Sequence, residues 1–575
     1  MKSRVTRATK ADDIFYERRI TEMEKRWYKV WPMWVPKQIE VEKPVSEYLR
    51  EWADRTPEAA AINFYGRIFT YRELNGIIDR LANGLIGLGL KKGDRVAIHM
   101  DNCPQFVVAY MGAQRAGAVA VPLNPMFKHT ELEYEINDAG AKMLIGVDYL
   151  YGEVEKVRTK TTLEHAIVTS LKDYLPENPT LPVTPDMQQP KNSFAQTIDF
   201  VDLLKKSAET PVCRIDDLKK DLALFQYTGG TTGTPKGAVV NHYALACAAI
   251  SAMQWYRHRE DDIHLGVTPF FHIMGQIQGM CAHLVSGGQT LILTRFIPDT
   301  VARAITQCKT TAWVAATTMV IALLNLPNIK EFDFSSFRVL WSGGSSISVE
   351  LQRQMKELCP NAIVGEGYGL SESLAQGGAI TPLHGYKLGF LGIPQTSDIK
   401  IMDKETGTRE LPANEEGEII MKGPAIALGY WNKPEETAEV FRDGWLYTGD
   451  LGIMDEEGYI KLLGRSRELI KCSGYSVFPA DVEDLLYRHP AIKEVVVIGI
   501  NDPYRGESPK AYIILKQEYV GKVTEKEIID WCKDNMAAYK RPHVIEFRNE
   551  LPKSAAGKVL RRILVDEEMK KSQKA

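Results

Sequence analysis

Between Thr70 and Val147 the hydrophobic pattern switches repeatedly between two periods. "YRELNGIIDRLANGLIGLGL" carries the three-to-four-residue apolar spacing of an amphipathic helix, and "DRVAIHM" is an apolar run of strand length. "CPQFVVAYMGAQRAG" is helical again, "AVAVPL" is a second strand, "HTELEYEINDAG" a third helix and "KMLIGV" a third strand. Strands separated by helices pair in parallel, because the intervening helix carries the chain back to the end of the sheet where it started. The alternation therefore predicts an α/β fold of sheets covered by helices.

The same rhythm resumes at "TLILT" and "TTAWVAA", after a stretch over 176–193 whose proline, asparagine and glutamine predict a surface excursion. Past Gly464 the text changes to "GRSRELIKCSGYSVFPADVEDLLYRHPAIKEVVVIGI", then "KAYIIL", a helix around "EKEIIDWCKDNM", and "LPKSAAGKVLRRIL". Two or three strands with helices in that length predict a small α+β domain. A chain of 575 residues exceeds one hydrophobic core. The division expected is a large domain over 1–465 and a small one over 466–575. No internal repeat is visible.

A formal net charge of −3 gives no electrostatic reason to expect nucleic acid. The eight cysteines are scattered, with no C-x-x-C pair and no cysteine–histidine spacing suited to zinc, and read as reduced residues of a cytoplasmic protein. The basic N-terminal stretch is followed by charge rather than an apolar core, unlike a secretory signal, and no apolar run reaches the length of a membrane span. Peripheral membrane contact stays open.

The densest chemical signal is "LFQYTGGTTGTPKGAVVNH", residues 224–242. Gly229, Gly230, Gly233 and Gly237 let backbone approach a ligand, Thr228, Thr231, Thr232 and Thr234 offer hydroxyls, and Lys236 brings a mobile cation. These are the parts of a phosphate cradle. They do not form the nucleotide loop G-x-x-x-x-G-K-[ST], because Lys236 stands between Pro235 and Gly237. A flexible linker would need no such ordered run between two apolar segments.

Further motifs follow in order: "GEGYGLSES", "GWLYTGDLG", "GRSRELIKCSGY" and "PKSAAGKVLRR". Together with "YTGGTTGTPKG" they resemble the adenylate-forming superfamily of acyl-CoA synthetases, non-ribosomal peptide synthetase adenylation domains and firefly luciferase. The resemblance spans about residues 45–562. It implies activation of a carboxylic acid by ATP as an acyl adenylate with release of pyrophosphate, then acyl transfer. ATP, Mg2+ and coenzyme A are the implied cofactors.

By that resemblance, Thr228 to Thr234 with Lys236 hold the ATP phosphates, and Glu372 offers the hard oxygen that Mg2+ prefers. Tyr368 supplies a flat face for adenine beside Gly369, and Ser371 keeps a hydroxyl where the family usually has threonine. Asp450 suits a grip on two ribose hydroxyls, since a carboxylate accepts from both, and Arg465 holds ribose. Lys558 corresponds to the mobile catalytic lysine of adenylation. The loop from Lys471 through Ser473, Gly474 and Tyr475 faces the site for thioester formation after the small domain rotates about Arg467, where the family commonly has aspartate or lysine.

On the acyl side the resemblance puts His272 in "PFFHIMG" at a position bordering the carboxylate and the acyl channel, although a lone histidine beside two phenylalanines is otherwise a packed core residue. Gly343 and Gly344 would leave room beside the adenylate, and Trp255, Met274, Trp341 and Leu374 are candidate wall residues. An apolar channel suits a fatty or aromatic acid. The resemblance thus implies an acyl-CoA ligase for a medium- or long-chain fatty acid, with benzoate-like acids, transfer to a carrier protein or amine, and a non-catalytic nucleotide binder as rivals. Assembly as a homodimer is compatible with this reading.

Overall fold

A computed structural model of the chain describes residues 25–228, 234–344, 347–381, 387–473, 475–554 and 557–572. Gly229, Gly230, Thr231, Thr232, Gly233 and Gly474 lie outside the described residues, as does the N-terminal stretch 1–24.

The periodicity after Thr70 becomes helices Tyr71–Gly87, Pro104–Arg115 and His129–Ala139, alternating with strands Arg95–His99, Val119–Pro122 and Ala141–Val147. Local chemistry sets the helix ends. The Thr70 hydroxyl accepts from the Glu73 N–H at 3.1 Å, the Glu131 carboxylate accepts from the Lys128 N–H at 2.8 Å, and Gly140 closes its helix with φ at 63°. The three strands pair in parallel, as the alternation requires, within a seven-stranded sheet. Its far edge is the antiparallel hairpin of Leu222–Thr228 and Lys236–Asn241.

The Pro104–Arg115 helix is buried along its whole length, including Arg115. That charge is compensated: Arg115 donates to Asp79 at 3.0 Å and to the Ser46 carbonyl at 2.6 Å, while Arg50 grips the same Asp79 at 2.9 and 3.0 Å.

A second sheet of nine strands is built around parallel strands Ile263–Gly266, Gln289–Ile292, Ala312–Ala316, Val339–Gly343 and Ile363–Gly367. "TLILT" and "TTAWVAA" supply two of them. The stretch 176–193 contains only the short turn of helix Pro185–Gln188, but Leu181 and Met187 are buried and pin it down. A five-stranded sheet within Asp398–Arg465 is antiparallel.

The C-terminal unit has five strands rather than two or three. Ile470–Cys472 and Tyr475–Val477 form a hairpin of three-residue strands, too short to carry a readable period. Helices Pro479–Leu486, Glu525–Asn535 and Arg561–Ser572 complete it. No helix among the described residues is long and apolar enough to cross a membrane.

The fold buries several histidines in neutral form. The rings of His258 and His264 pack against His283 with centroids 4.2 and 3.9 Å away, beside Asp262 and its partner Arg338. Burial holds His99 and His242 down to about 4 and His258 to about 3, and it pushes His264 and His283 well below their ordinary value. Above the unfolded-state value near 6.5 neither state binds these protons; below it the unfolded chain takes them up first, so stability falls as pH falls from about 6.5 towards 4. The half-inactivation temperature should therefore drop steeply over that interval. A flat profile between pH 6.5 and 4.5 would contradict neutral burial of this group.

Candidate active site

Thr228 ends the Leu222–Thr228 strand and Lys236 begins the returning strand, and the two face each other across the hairpin on either side of the glycine-rich motif. Both flanks are fixed. Tyr227 donates to Asp138 at 2.7 Å, and Tyr134 donates to the Pro235 carbonyl at 2.9 Å. A Cβ on Gly237 would lie 3.2 Å from the Tyr227 ring. Thr234 is exposed and Lys236 half-buried, both at the hairpin mouth.

The Ile363–Gly367 strand delivers the next motif. Tyr368 is buried and donates to Asp450 at 2.6 Å, while Arg465 Nε lies 3.2 Å from the other oxygen of that carboxylate. Asp450 and Arg465 are paired across adjacent strands, which explains their contact. Burial raises the Asp450 carboxyl above its ordinary value, and Arg465 opposes the rise. Tyr368, Asp450 and Arg465 thus form one polar corner from three separate motifs.

Beyond Tyr368 the chain turns through Ser371–Ser373. A Cβ on Gly369 would stand 2.8 Å from the Ala375 Cα, so this tight turn needs glycine there. The half-buried Glu372 accepts at Oε1 from the Tyr430 hydroxyl at 2.6 Å. Among the described residues there is no group of three or more histidine, cysteine or acidic side chains able to hold a metal ion. A lone carboxylate with one oxygen committed to Tyr430 nevertheless fits Mg2+, which takes one or two protein oxygens and completes its shell with substrate phosphate and water.

The C-terminal unit reaches this corner through the loop carrying Lys558. Thr318 donates to the Gly557 carbonyl at 2.8 Å, and Asp484 accepts from the Val349 N–H at 3.1 Å, so hydrogen bonds among the described residues join the units. Lys558 is exposed at the mouth of this corner, yet partial desolvation and the nearby Arg465 hold its ammonium below the ordinary lysine value, against the pull of Asp450 and Glu468. His272 caps the start of a helix, its Nδ1 accepting from the Met274 N–H at 3.3 Å. Burial, with Lys558 close by, lowers it to about 4, so it is neutral at pH 7.

On the acyl side, Gly344 has φ at 85° and, among the described residues, nothing lies within 4 Å of its Cβ position, while a Cβ on Gly343 would be 3.3 Å from the Met274 sulfur. Trp255, Met274, Trp341 and Leu374 are all buried.

Lys471, Ser473 and Tyr475 are not brought into this cluster. Lys471 donates to Ser476 at 2.9 Å, Ser473 has φ at 51°, and the exposed Tyr475 stacks on Tyr539 at 4.5 Å. No hydrogen bond, ion pair or ring contact among the described residues joins them to Asp450, His272 or Lys558.

Sequence reasoning missed Tyr430, Thr318 and Glu366. Glu366 sits inside a motif that was read, yet only burial reveals its state: its carboxyl is pushed up to about 8 and accepts from the Ile347 N–H at 3.3 Å. Nothing in the text around Tyr430 or Thr318 marks either as a contact.

Comparison with known proteins identifies the family of the chain. The AMP-binding enzyme family matches residues 49–431, and the AMP-binding enzyme C-terminal domain matches 481–558. A long-chain-fatty-acid–CoA ligase of Bacillus subtilis is 38% identical, with 95% of this chain and 98% of the relative covered. A 4-coumarate–CoA ligase of Vanilla planifolia is 30% identical, covering 93% and 95%. An anthranilate CoA ligase solved with anthranoyl-AMP superposes with a TM-score of 0.83 at 27% identity, covering 92% of this chain and 98% of that one.

Proposed function

We propose, from the premise that this chain belongs to the AMP-binding enzyme family, that it is an ATP- and Mg2+-dependent acyl-CoA ligase for medium- or long-chain fatty acids. The observation that carries the reading is the docking of the Lys558 loop on Thr318, which sets a cation beside the Tyr368–Asp450–Arg465 corner and the neutral His272.

In this reading Asp450 accepts from ribose hydroxyls and Tyr368 faces adenine. Thr228, Thr234 and Lys236 flank the phosphates. Lys558 reaches the acid carboxylate and the α-phosphate, where two anions must meet. Preorganised positive charge lowers that barrier because it costs no reorganisation during reaction. The carboxylate oxygen then attacks the α-phosphorus, pyrophosphate leaves with the bond electrons, and an acyl adenylate remains. His272 is neutral at pH 7, so it is no cationic acid; with Nδ1 accepting from Met274 its remaining N–H is on Nε2, and it acts as a polar wall beside the acyl carbonyl. Mg2+, held at Glu372, offsets negative charge on the phosphates when bound.

Thioester formation requires different groups at the same adenylate. Rotation of the unit following Arg465 would withdraw Lys558 and present the hairpin of Lys471, Ser473, Gly474 and Tyr475 to the coenzyme A arm. A boundary at 465/466 places the hinge at the short turn Ser466–Glu468, between the last strand of the antiparallel sheet and the first of the C-terminal sheet. All eight cysteines are free, consistent with work in a reducing cytoplasm.

A fatty substrate is favoured by the apolar side chains around Met274 and by the curated bacterial relative. The aromatic acids named for the vanilla ligase and the anthranilate ligase make an aryl substrate the second reading. Pyrophosphate release measured with octanoate, palmitate and benzoate separates them. Specificity constants should be higher for a fatty acid, and a large preference for benzoate would replace the fatty-acid reading with the aryl one.

A further inference from the structure

A short strap, residues 427–431, joins the two halves of the phosphate side of the site. At one end the Ala427 N–H donates to the Glu372 carbonyl at 2.7 Å. Along its length the strap pairs with the returning strand of the glycine-rich hairpin: Leu428 N–H donates to the Val239 carbonyl at 2.8 Å, Val239 N–H to the Gly429 carbonyl at 2.9 Å, and Trp431 N–H to the Gly237 carbonyl at 2.8 Å. Tyr430 lies opposite Ala238 in this pairing. Its own backbone is held from behind, where its N–H donates to the Thr437 hydroxyl at 2.9 Å and that hydroxyl donates to the Lys433 carbonyl at 2.7 Å.

The Tyr430 side chain uses both of its chemical faces. The hydroxyl donates to Glu372 Oε1 at 2.6 Å, a short bond to a charged acceptor. The ring lies beneath the Lys236 ammonium, with Nζ 5.2 Å from the centroid. Phe441 packs against the same ring in a T-shaped arrangement with centroids 5.7 Å apart. One side chain therefore touches both the carboxylate assigned to the metal and the lysine assigned to the phosphates.

We propose that Tyr430 is a positioning residue that fixes the spacing and orientation of Glu372 and Lys236, and so sets the affinity for metal-bound ATP. The inference rests on the assignment of Glu372 to Mg2+ above. A hydroxyl committed to one carboxylate oxygen stops that carboxylate from rotating and leaves its second oxygen available for the metal. The ring holds Lys236 near the same point without neutralising it, which a carboxylate in place of the ring would do. The strap makes the arrangement rigid because backbone bonds tie it to both elements.

The test compares Tyr430→Phe, Tyr430→Leu and Glu372→Gln in the full-length enzyme. Calorimetric titration with a non-hydrolysable ATP analogue, with and without Mg2+, gives affinities independent of turnover. Loss of one hydrogen bond to a charged group should weaken metal-dependent binding by Tyr430→Phe about tenfold or more. Metal-free binding, the melting temperature and transfer from supplied acyl adenylate to coenzyme A should stay near wild type. Tyr430→Leu, which also removes the ring from Lys236, should weaken metal-free binding as well. A merely structural tyrosine would instead lower the melting temperature and both half-reactions together, and that result would overturn the proposal. So would unchanged metal dependence in Tyr430→Phe while Glu372→Gln has lost it. Unchanged metal dependence in Glu372→Gln removes the metal assignment itself, and the Tyr430 proposal with it.

Discussion

Lys558→Ala should slow adenylate formation by about two to three orders of magnitude, the usual cost of removing one preorganised group that meets developing charge. Transfer from supplied acyl adenylate to coenzyme A should be nearly unchanged, because the lysine is needed only while two anions approach each other. Gly557→Val should reproduce this split without touching the ammonium. Gly557 has φ at 79°, and a Cβ there would lie 2.6 Å from the Thr318 hydroxyl that docks the loop. The pH profile adds a signature. The Lys558 ammonium is held below its ordinary value, and the protonated form is the active one. Adenylation should therefore decline on the alkaline side below the ordinary lysine value, and Lys558→Arg should move that limb upward. Equal losses in both half-reactions for Lys558→Ala would remove the assignment.

Asp450→Ala should weaken ATP and AMP binding by about a hundredfold, since two hydrogen bonds to a charged acceptor are lost at a buried position. The variant also strips Arg465 of its carboxylate partner and leaves the Tyr368 hydroxyl without its acceptor. Loss of this negative charge should depress the Lys558 ammonium further, because Asp450 is the first group that supports it. Binding of 2′,3′-dideoxy-ATP separates ribose recognition from these indirect effects. Wild-type enzyme should lose most of its affinity for that analogue, whereas Asp450→Ala should bind it about as well as ATP. If wild type bound both nucleotides alike, Asp450 would be a structural partner of Arg465 and not a ribose ligand.

Much of the fold was legible because its strands and helices are long enough to show a period. Tyr71–Gly87 displays several turns of apolar spacing, Pro104–Arg115 is an apolar stretch too long for one strand, and Arg95–His99 between them is a short, mostly apolar run. The three-residue strands Ile470–Cys472 and Tyr475–Val477 show no period at all, which is why the C-terminal sheet was read with too few strands. At the site, residues with unusual chemistry inside dense motifs could be named, among them Lys236, Glu372, Asp450 and Lys558. Which of them meet could not. Tyr368 and Asp450 touch across 82 positions of sequence, and Tyr430 reaches Glu372 across 58; such contacts depend on how sheets are joined. The neutral state of His272 and the raised carboxyl of Glu366 depend on burial, which a local reading of sequence does not supply.

The central claim is that this chain makes an acyl adenylate before it makes a thioester. Incubating it with palmitate, ATP and Mg2+ in the absence of coenzyme A, and analysing the quenched mixture by mass spectrometry, tests the claim most directly. The account predicts palmitoyl-AMP in an amount close to that of the enzyme, with pyrophosphate, and its conversion to palmitoyl-CoA and AMP once coenzyme A is added. Formation of ADP with an acyl phosphate, or no acyl nucleotide from any fatty or aromatic acid, would contradict it.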